Sequence, residues 1–194
     1  MGLRTTPGLC ADCIKQRPPL DTTLTAVAYG YPWSELITRY KYGDRPGWAP
    51  FFADLLLQAP GVQDCLDSLN ANDLIIPMPL SIERLRSRGF NQAWVLVKAL
   101  MRQSNCLAKT DAHLLLRVRD TRPQSELKRD ARLANVEGAF QVDPLRVSQL
   151  AGRRVVMVDD VMTSGASLFT AAKILRQAGA THITALVISR TPVS

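Results

Sequence analysis

Histidine and cysteine are scarce in this chain, at two and four in 194 residues. Neither His113 nor His182 has finger spacing from Cys10-Ala-Asp-Cys13, a C-x-x-C that by itself offers two ligands where a structural zinc takes four. Cys65 and Cys106 are isolated, so no disulfide framework is indicated and a reducing compartment is expected. No run of about eighteen apolar residues occurs, and the N-terminus has no apolar signal-peptide core. Membrane insertion is therefore not expected, and a cytoplasmic protein is. Acidic residues are sparse in the middle of the chain: residues 84 to 132 hold four, against twelve lysines and arginines, a net of +8. The whole chain carries +7, so the remainder sums to −1. For any single residue a solvated surface is the simpler reading of such charge. The prevalence of arginine, whose planar fork binds phosphate bidentately, points instead to an anionic ligand: pyrophosphate, a nucleotide or nucleic acid.

With 46% apolar residues, the 194-residue chain can bury a substantial single core. Its most informative stretch is residues 155 to 167, Val-Val-Met-Val-Asp-Asp-Val-Met-Thr-Ser-Gly-Ala-Ser. The β-branched run 155 to 158 reads as a parallel strand covered on both faces, ended by Asp159 and Asp160. Thr163, Ser164, Gly165, Ala166 and Ser167 form a small-residue turn leading into a helix at 168 to 178, with Gly179 as its stop. Backbone N–H groups of such a turn, backed by the helix dipole, can cradle phosphate. Carboxylates at a strand's carboxyl end can accept from ribose hydroxyls or hold hydrated Mg²⁺. For a lone Asp-Asp, a strand-end turn with Ser164 or Ser167 as N-cap would be the better reading, since capping needs the same residue types. Here the whole string stands in order.

The apolar run 184 to 189 follows that helix and completes a βαβ unit, which excludes all-α and all-β folds. Upstream, residues 24 to 29 read as the first core strand, and 31 to 42 and 48 to 58 as helices. Trp33, Trp48, Phe51 and Phe52, at helical spacing, read as packing rather than as a base-stacking surface. Residues 74 to 77 form a strand that Pro77 and Pro79 must turn. Ser81 then caps a short basic helix, 82 to 88, closed by Gly89, and another helix runs to about Met101.

The 155 to 167 string resembles the 5-phosphoribosyl-1-pyrophosphate (PRPP) signature of type I phosphoribosyltransferases. A more specific likeness rests on Pro77-Met-Pro-Leu80, Arg84, Arg88, Gly89, Phe90, Asn91 and Gln92, then Thr121-Arg-Pro-Gln-Ser125, Arg129, Arg132 and Asn135. Together with Asp159-Asp160, these resemble the ComF (GntX-like) family, associated with competence and use of external DNA. The likeness runs from Lys41-Tyr42-Gly43 to the end. It implies an α/β type I phosphoribosyltransferase fold, with a central, mainly parallel sheet flanked by helices. Family members usually open with two C-x-x-C pairs in a zinc ribbon, so residues 1 to 22, with Cys10 and Cys13 alone, are expected as its remnant, or as two incidental thiols. Zinc should be well below one per chain. Residues 23 to 194 are expected to form the phosphoribosyltransferase-like domain.

By the same resemblance, Asp159 and Asp160 would bind ribose hydroxyls, directly or through Mg²⁺, and residues 163 to 167 would hold the 5-phosphate. Pro79, Leu80, Ser81, Arg84 and Arg88 would form the pyrophosphate loop. Residues 117 to 135 would be a flap carrying Arg119, Arg129 or Arg132 to the leaving group. Purine-salvage relatives place an acid, used as general base, where Thr163 stands. The departure implies a nucleophile needing no base there, a base elsewhere, or no transfer. Two functions stay open: an Mg²⁺-dependent phosphoribosyltransferase acting on PRPP or a nucleotide, and a non-catalytic accessory binding single-stranded nucleic acid. Self-association stays open as well.

Overall fold

A computed structural model describes residues 18–42, 46–119 and 138–192. Five strands form one parallel sheet: β1 (Thr22–Ala28), β2 (Leu74–Pro77), β3 (Lys109–Thr110), β6 (Arg154–Met162) and β7 (His182–Arg190). Their order across the sheet is β1-β7-β6-β2-β3. Two further strands, β4 (Leu115–Arg117) and β5 (Phe140–Val142), pair antiparallel beside it. The helices are α1 (Trp33–Tyr42), α2 (Ala49–Leu57), α3 (Val62–Asp67), α4 (Ile82–Arg88), α5 (Gln92–Gln103) and α6 (Ala166–Gln177). This is the α/β, type I phosphoribosyltransferase-like architecture expected from the sequence.

Strand alternation divides the core into two layers. Val155 and Met157 of β6, with Ile183, Ala185 and Val187 of β7, pack with Leu168, Ala171, Ala172 and Leu175 of α6. Val156 and Val158, with Leu186 and Ile188, pack on the other face with Ile37 and Tyr40 of α1, Phe52 and Leu56 of α2, and Leu96 and Leu100 of α5. All nine of the β7 residues except its two ends are buried, as a strand covered on both faces requires.

Several sequence expectations need correction. The two acids do not end their strand: β6 continues through Asp159 and Asp160 to Met162, because β7 still pairs with it, Asp159 to Val187 and Met162 to Arg190. It is β2 that stops, at Pro77 opposite Val158. The strand expected at 24 to 29 runs Thr22–Ala28 at the sheet's edge, half-buried along most of its length; among the described residues β7 alone pairs with it. The last sheet helix starts at Ala166, earlier than expected, and its N-cap is Gly165, which has no side chain to cap with. Phe51 is 46% exposed. Its ring packs against Trp48 and Phe52 at centroid separations of 6.0 and 5.3 Å without being buried by them.

The chain leaves β2 for β3 on one side and β6 for β7 on the other, so the order of strand addition reverses between β2 and β6 while the strands stay parallel. Ligands of open α/β sheets bind at the carboxyl ends of strands flanking such a reversal.

Candidate functional site

At that reversal lies a cavity of about 720 Å³, walled by the turn after β2, the carboxyl end of β6, the start of α6 and the end of α1. The turn after β2 is set by local capping. Ser81 accepts from the Arg84 N–H at 3.3 Å to start α4, and Gly89, at φ 77°, ends it with its own N–H on Leu85 O. Asn91 accepts from Trp94 N–H to start α5, and its Nδ2 donates 3.1 Å to Met78 O. One side chain thus ties the helix start to the strand exit. Arg84 and Arg88 are thereby brought to the cavity with Pro79 and Leu80, whereas Ser81 is buried as a cap and does not line it.

Across the cavity, Gly165 sits at φ 78° before α6. A Cβ there would come within 2.6 Å of Met162 Cε and 2.8 Å of Phe169 Cζ, so the turn is built around a glycine. Thr163, Gly165, Ala166 and Ser167 line the cavity; Ser164 does not, and its Oγ lies 3.5 Å from Ala166 N. The first N–H groups of a helix have no partner within it and carry its positive dipole end. The start of α6 therefore suits an anion.

The acid pair is asymmetric. Alternation along β6 sends Asp160 to the face covered by α1 and α5, where both its oxygens are engaged. Lys41 Nζ lies 2.9 Å from Oδ1, and Gln92 Nε2 donates 2.8 Å to Oδ2. Tyr40 Oη in turn donates 2.7 Å to Gln92 O, locking α1 onto the start of α5. Burial pushes the Tyr40 hydroxyl pKa up, and the nearby Asp160 charge pushes it further. Burial works against the Lys41 ammonium, yet the Asp160 charge and hydrogen bond outweigh it, so Lys41 stays above its ordinary value.

Asp159 is half-buried in the cavity wall. Its Oδ1 accepts from Asp160 N–H at 2.9 Å, and Oδ2 has no hydrogen-bond partner among the described residues. Burial first, then the charge of Asp160, raises its carboxyl to about 7; the Asp160 N–H, Lys41 and Arg117 pull the other way. Gln92 is buried and lines the cavity, and its Oε1 has no hydrogen-bond partner among the described residues. One available carboxylate oxygen and one amide acceptor suit ribose hydroxyls. They also suit Mg²⁺ arriving with a pyrophosphate, since that ion is commonly held by one or two carboxylates plus substrate phosphates. They do not make an all-protein cage: among the described residues no three His, Cys, Asp or Glu side chains cluster.

Of the residues singled out from sequence, Asp159, Asp160, Thr163, Gly165, Ala166, Ser167, Pro79, Leu80, Arg84 and Arg88 meet in this cavity. Arg119 is exposed just past β4 and does not line it. Arg129, Arg132, Cys10 and Cys13 lie outside the described residues, as does most of the expected flap. Lys41, Tyr42, Gln92 and Arg117 also line the cavity; the sequence assigns none of them an individual role, and Arg117 stands in it only as the first residue of the expected flap. Lys41 and Tyr42 are legible only as the block where the family likeness begins, and Gln92 only as part of another such block. Arg117 stands on β4 with its guanidinium 5.4 Å from the Phe140 ring centroid. Tyr42 is 69% exposed, accepts 2.9 Å from Arg88 Nη2, and has that guanidinium 4.6 Å from its ring centroid.

No family model matches the sequence. The chain is 31% identical over 182 residues to a DNA utilization protein of Escherichia coli (strain K12), covering 94% of this chain and 78% of that one. It is 32% identical over 174 residues to Competence protein F of Haemophilus influenzae, covering 90% and 75%. With Competence protein ComFC of Bacillus subtilis the identity is 28% over 178 residues, covering 88% and 67%. At this identity, over most of both chains and with the Asp-Asp strand, glycine turn and arginine-bearing helix in one cavity, the chain belongs to the ComF-like family.

Proposed function

We propose that this protein binds PRPP, or the 5-phosphate of a nucleotide, together with Mg²⁺, and that it serves competence and DNA utilisation as its relatives' names describe. The observation that carries the reading is the convergence in one cavity of an available carboxylate, a glycine-built helix start, and the cations Lys41, Arg84, Arg88 and Arg117. The α6 turn holds the 5-phosphate, Asp159 and Gln92 meet the ribose hydroxyls, and the arginines face the pyrophosphate. Tyr42 and Tyr29, also in the wall, leave apolar surface for a ring. Bound Mg²⁺, held by Asp159 and the pyrophosphate, would offset charge developing on the leaving oxygens. Phosphoribosyl transfer to a nitrogen nucleophile is the chemistry such a site supports, and the protein's contribution is positioning.

Incubation of the whole chain with PRPP, Mg²⁺ and a panel of nitrogenous acceptors tests transfer. Pyrophosphate release that depends on acceptor and on Asp159 supports it. Tight PRPP binding without release under any acceptor reduces the protein to a phosphosugar-binding one.

A second reading, single-stranded nucleic-acid binding, is favoured by the exposed cations Arg86, Arg102 and Lys109, none of which lines the cavity. On that reading, affinity for an oligonucleotide survives saturating PRPP and depends on those residues.

A further inference from the structure

This inference rests on the phosphosugar reading and concerns how an acid pair can sit in an anion site. Two adjacent carboxylates beside a phosphate would repel it. In this cavity the problem is met from α1. Lys41 stands in that helix's last turn, its side chain 22% exposed, with Nζ 2.9 Å from Oδ1 of an Asp160 whose side chain is 6% exposed. Gln92, on Oδ2, completes the set, so Asp160 is bonded on both oxygens while Asp159 keeps one available. The pair lies within the cavity wall and not behind it, since both Lys41 and Asp160 line the space.

We propose that Lys41 is a positioning residue that sets the charge of the acid pair. By neutralising Asp160 it leaves Asp159 as the single carboxylate a ligand meets, and thereby admits a phosphate-bearing ligand to a site that two uncompensated acids would close. Asp160 on this view anchors Lys41 and Gln92 and does not itself contact ribose. The device also makes the end of α1 part of the site, because Tyr40 Oη bonds Gln92 O one residue before Lys41.

The inference predicts rescue. In Lys41→Met, a buried Asp160 is left without its counter-ion, whereas Lys41→Met combined with Asp160→Asn removes one charge of each sign and restores the balance. Ribose 5-phosphate, titrated calorimetrically in the presence of Mg²⁺, is the probe, with adenosine as an uncharged comparison. Lys41→Met should weaken ribose 5-phosphate binding by about tenfold or more and leave adenosine binding within about twofold. The double variant should recover to within about threefold of Asp160→Asn alone, and Lys41→Arg should bind nearly as the parent protein does.

A double variant as weak as Lys41→Met would overturn the proposal, making Lys41 a direct phosphate ligand. Unchanged binding in Lys41→Met would overturn it equally. If Lys41→Met does not fold, the double variant decides: folded and binding supports the inference, folded and not binding refutes it. A parent protein that binds neither ribose 5-phosphate nor PRPP would remove the phosphosugar reading itself, and this inference with it. Parent binding with a failed rescue would remove only the role of Lys41.

Discussion

Asp159 holds its proton to about 7, first because it is buried and then because Asp160 is charged beside it. The sign of the stability effect follows. An unfolded aspartate ionises near its ordinary value of 3.8, so between there and about 7 the folded chain binds more protons than the unfolded one, and stability falls as pH rises through that window. Asp159→Asn abolishes this loss. Thermal melts should therefore show the variant more stable than the parent above pH 7, by on the order of 1–2 kcal/mol, and equal to it near pH 4. Ligand affinity should move oppositely, rising with pH through about 7 in the parent as the carboxylate ionises. A flat profile would detach Asp159 from the ligand.

Gly165 is the other residue whose conformation the site demands. At φ 78°, with Met162 and Phe169 side chains in the way of any Cβ, Gly165→Ala should destabilise the fold by about 1–3 kcal/mol and weaken phosphate binding. Denaturant melts and phosphate titration check both. That this glycine mattered was legible in sequence. That it, and not a serine, would cap the helix was not, since Ser164 and Ser167 have the preferred cap chemistry.

At the scale of elements, hydrophobic runs and punctuation carried most of the reading. The short basic helix with Ser81 and Gly89 at its ends stands where its caps put it. Two charged residues normally stop a run, so the sequence predicts a shorter β6 than the structure has; pairing with β7 carries them, and that partner is distant in sequence. Helix α3 was not legible at all, being six residues with no side-chain cap, too short for periodicity to register. The same alternation that sorts Val155 to Val158 between two layers places Asp160 on the α1 and α5 face, and so could have asked which cation waits there. Asn91 links two elements through Trp94 N–H and Met78 O. Asn91→Ala should cost about 1–2 kcal/mol, lowering the Tm by about 2–8 °C, and should loosen the turn that carries Arg84 and Arg88. An unchanged Tm would mean that other contacts fix the turn.

Over the whole molecule, cations among the described residues 84 to 119 fall on two sides of the site. Arg84, Arg88 and Arg117 face the cavity; Arg86, Arg102 and Lys109 are exposed outside it. Composition alone could not separate them, because the sorting depends on how α4, α5 and β4 sit around the β2 exit. If the cavity is the principal anion site, oligonucleotide binding should be weak at physiological salt, should be displaced by PRPP, and should be indifferent to Arg102→Ala. If a strand is the ligand, each lost phosphate contact should reduce the slope of log affinity against log salt by about 0.7.

On the proposed function, one cavity, at the carboxyl ends of β2 and β6, takes a phosphosugar through Asp159. The most direct test is calorimetric titration of PRPP with Mg²⁺ into the parent protein and into Asp159→Asn at pH 8, where the parent carboxylate is ionised. The account predicts saturable binding by the parent near one equivalent, and a loss of about tenfold or more in a variant that remains folded. Equal affinity in the two proteins, or no binding by a folded parent, would contradict it.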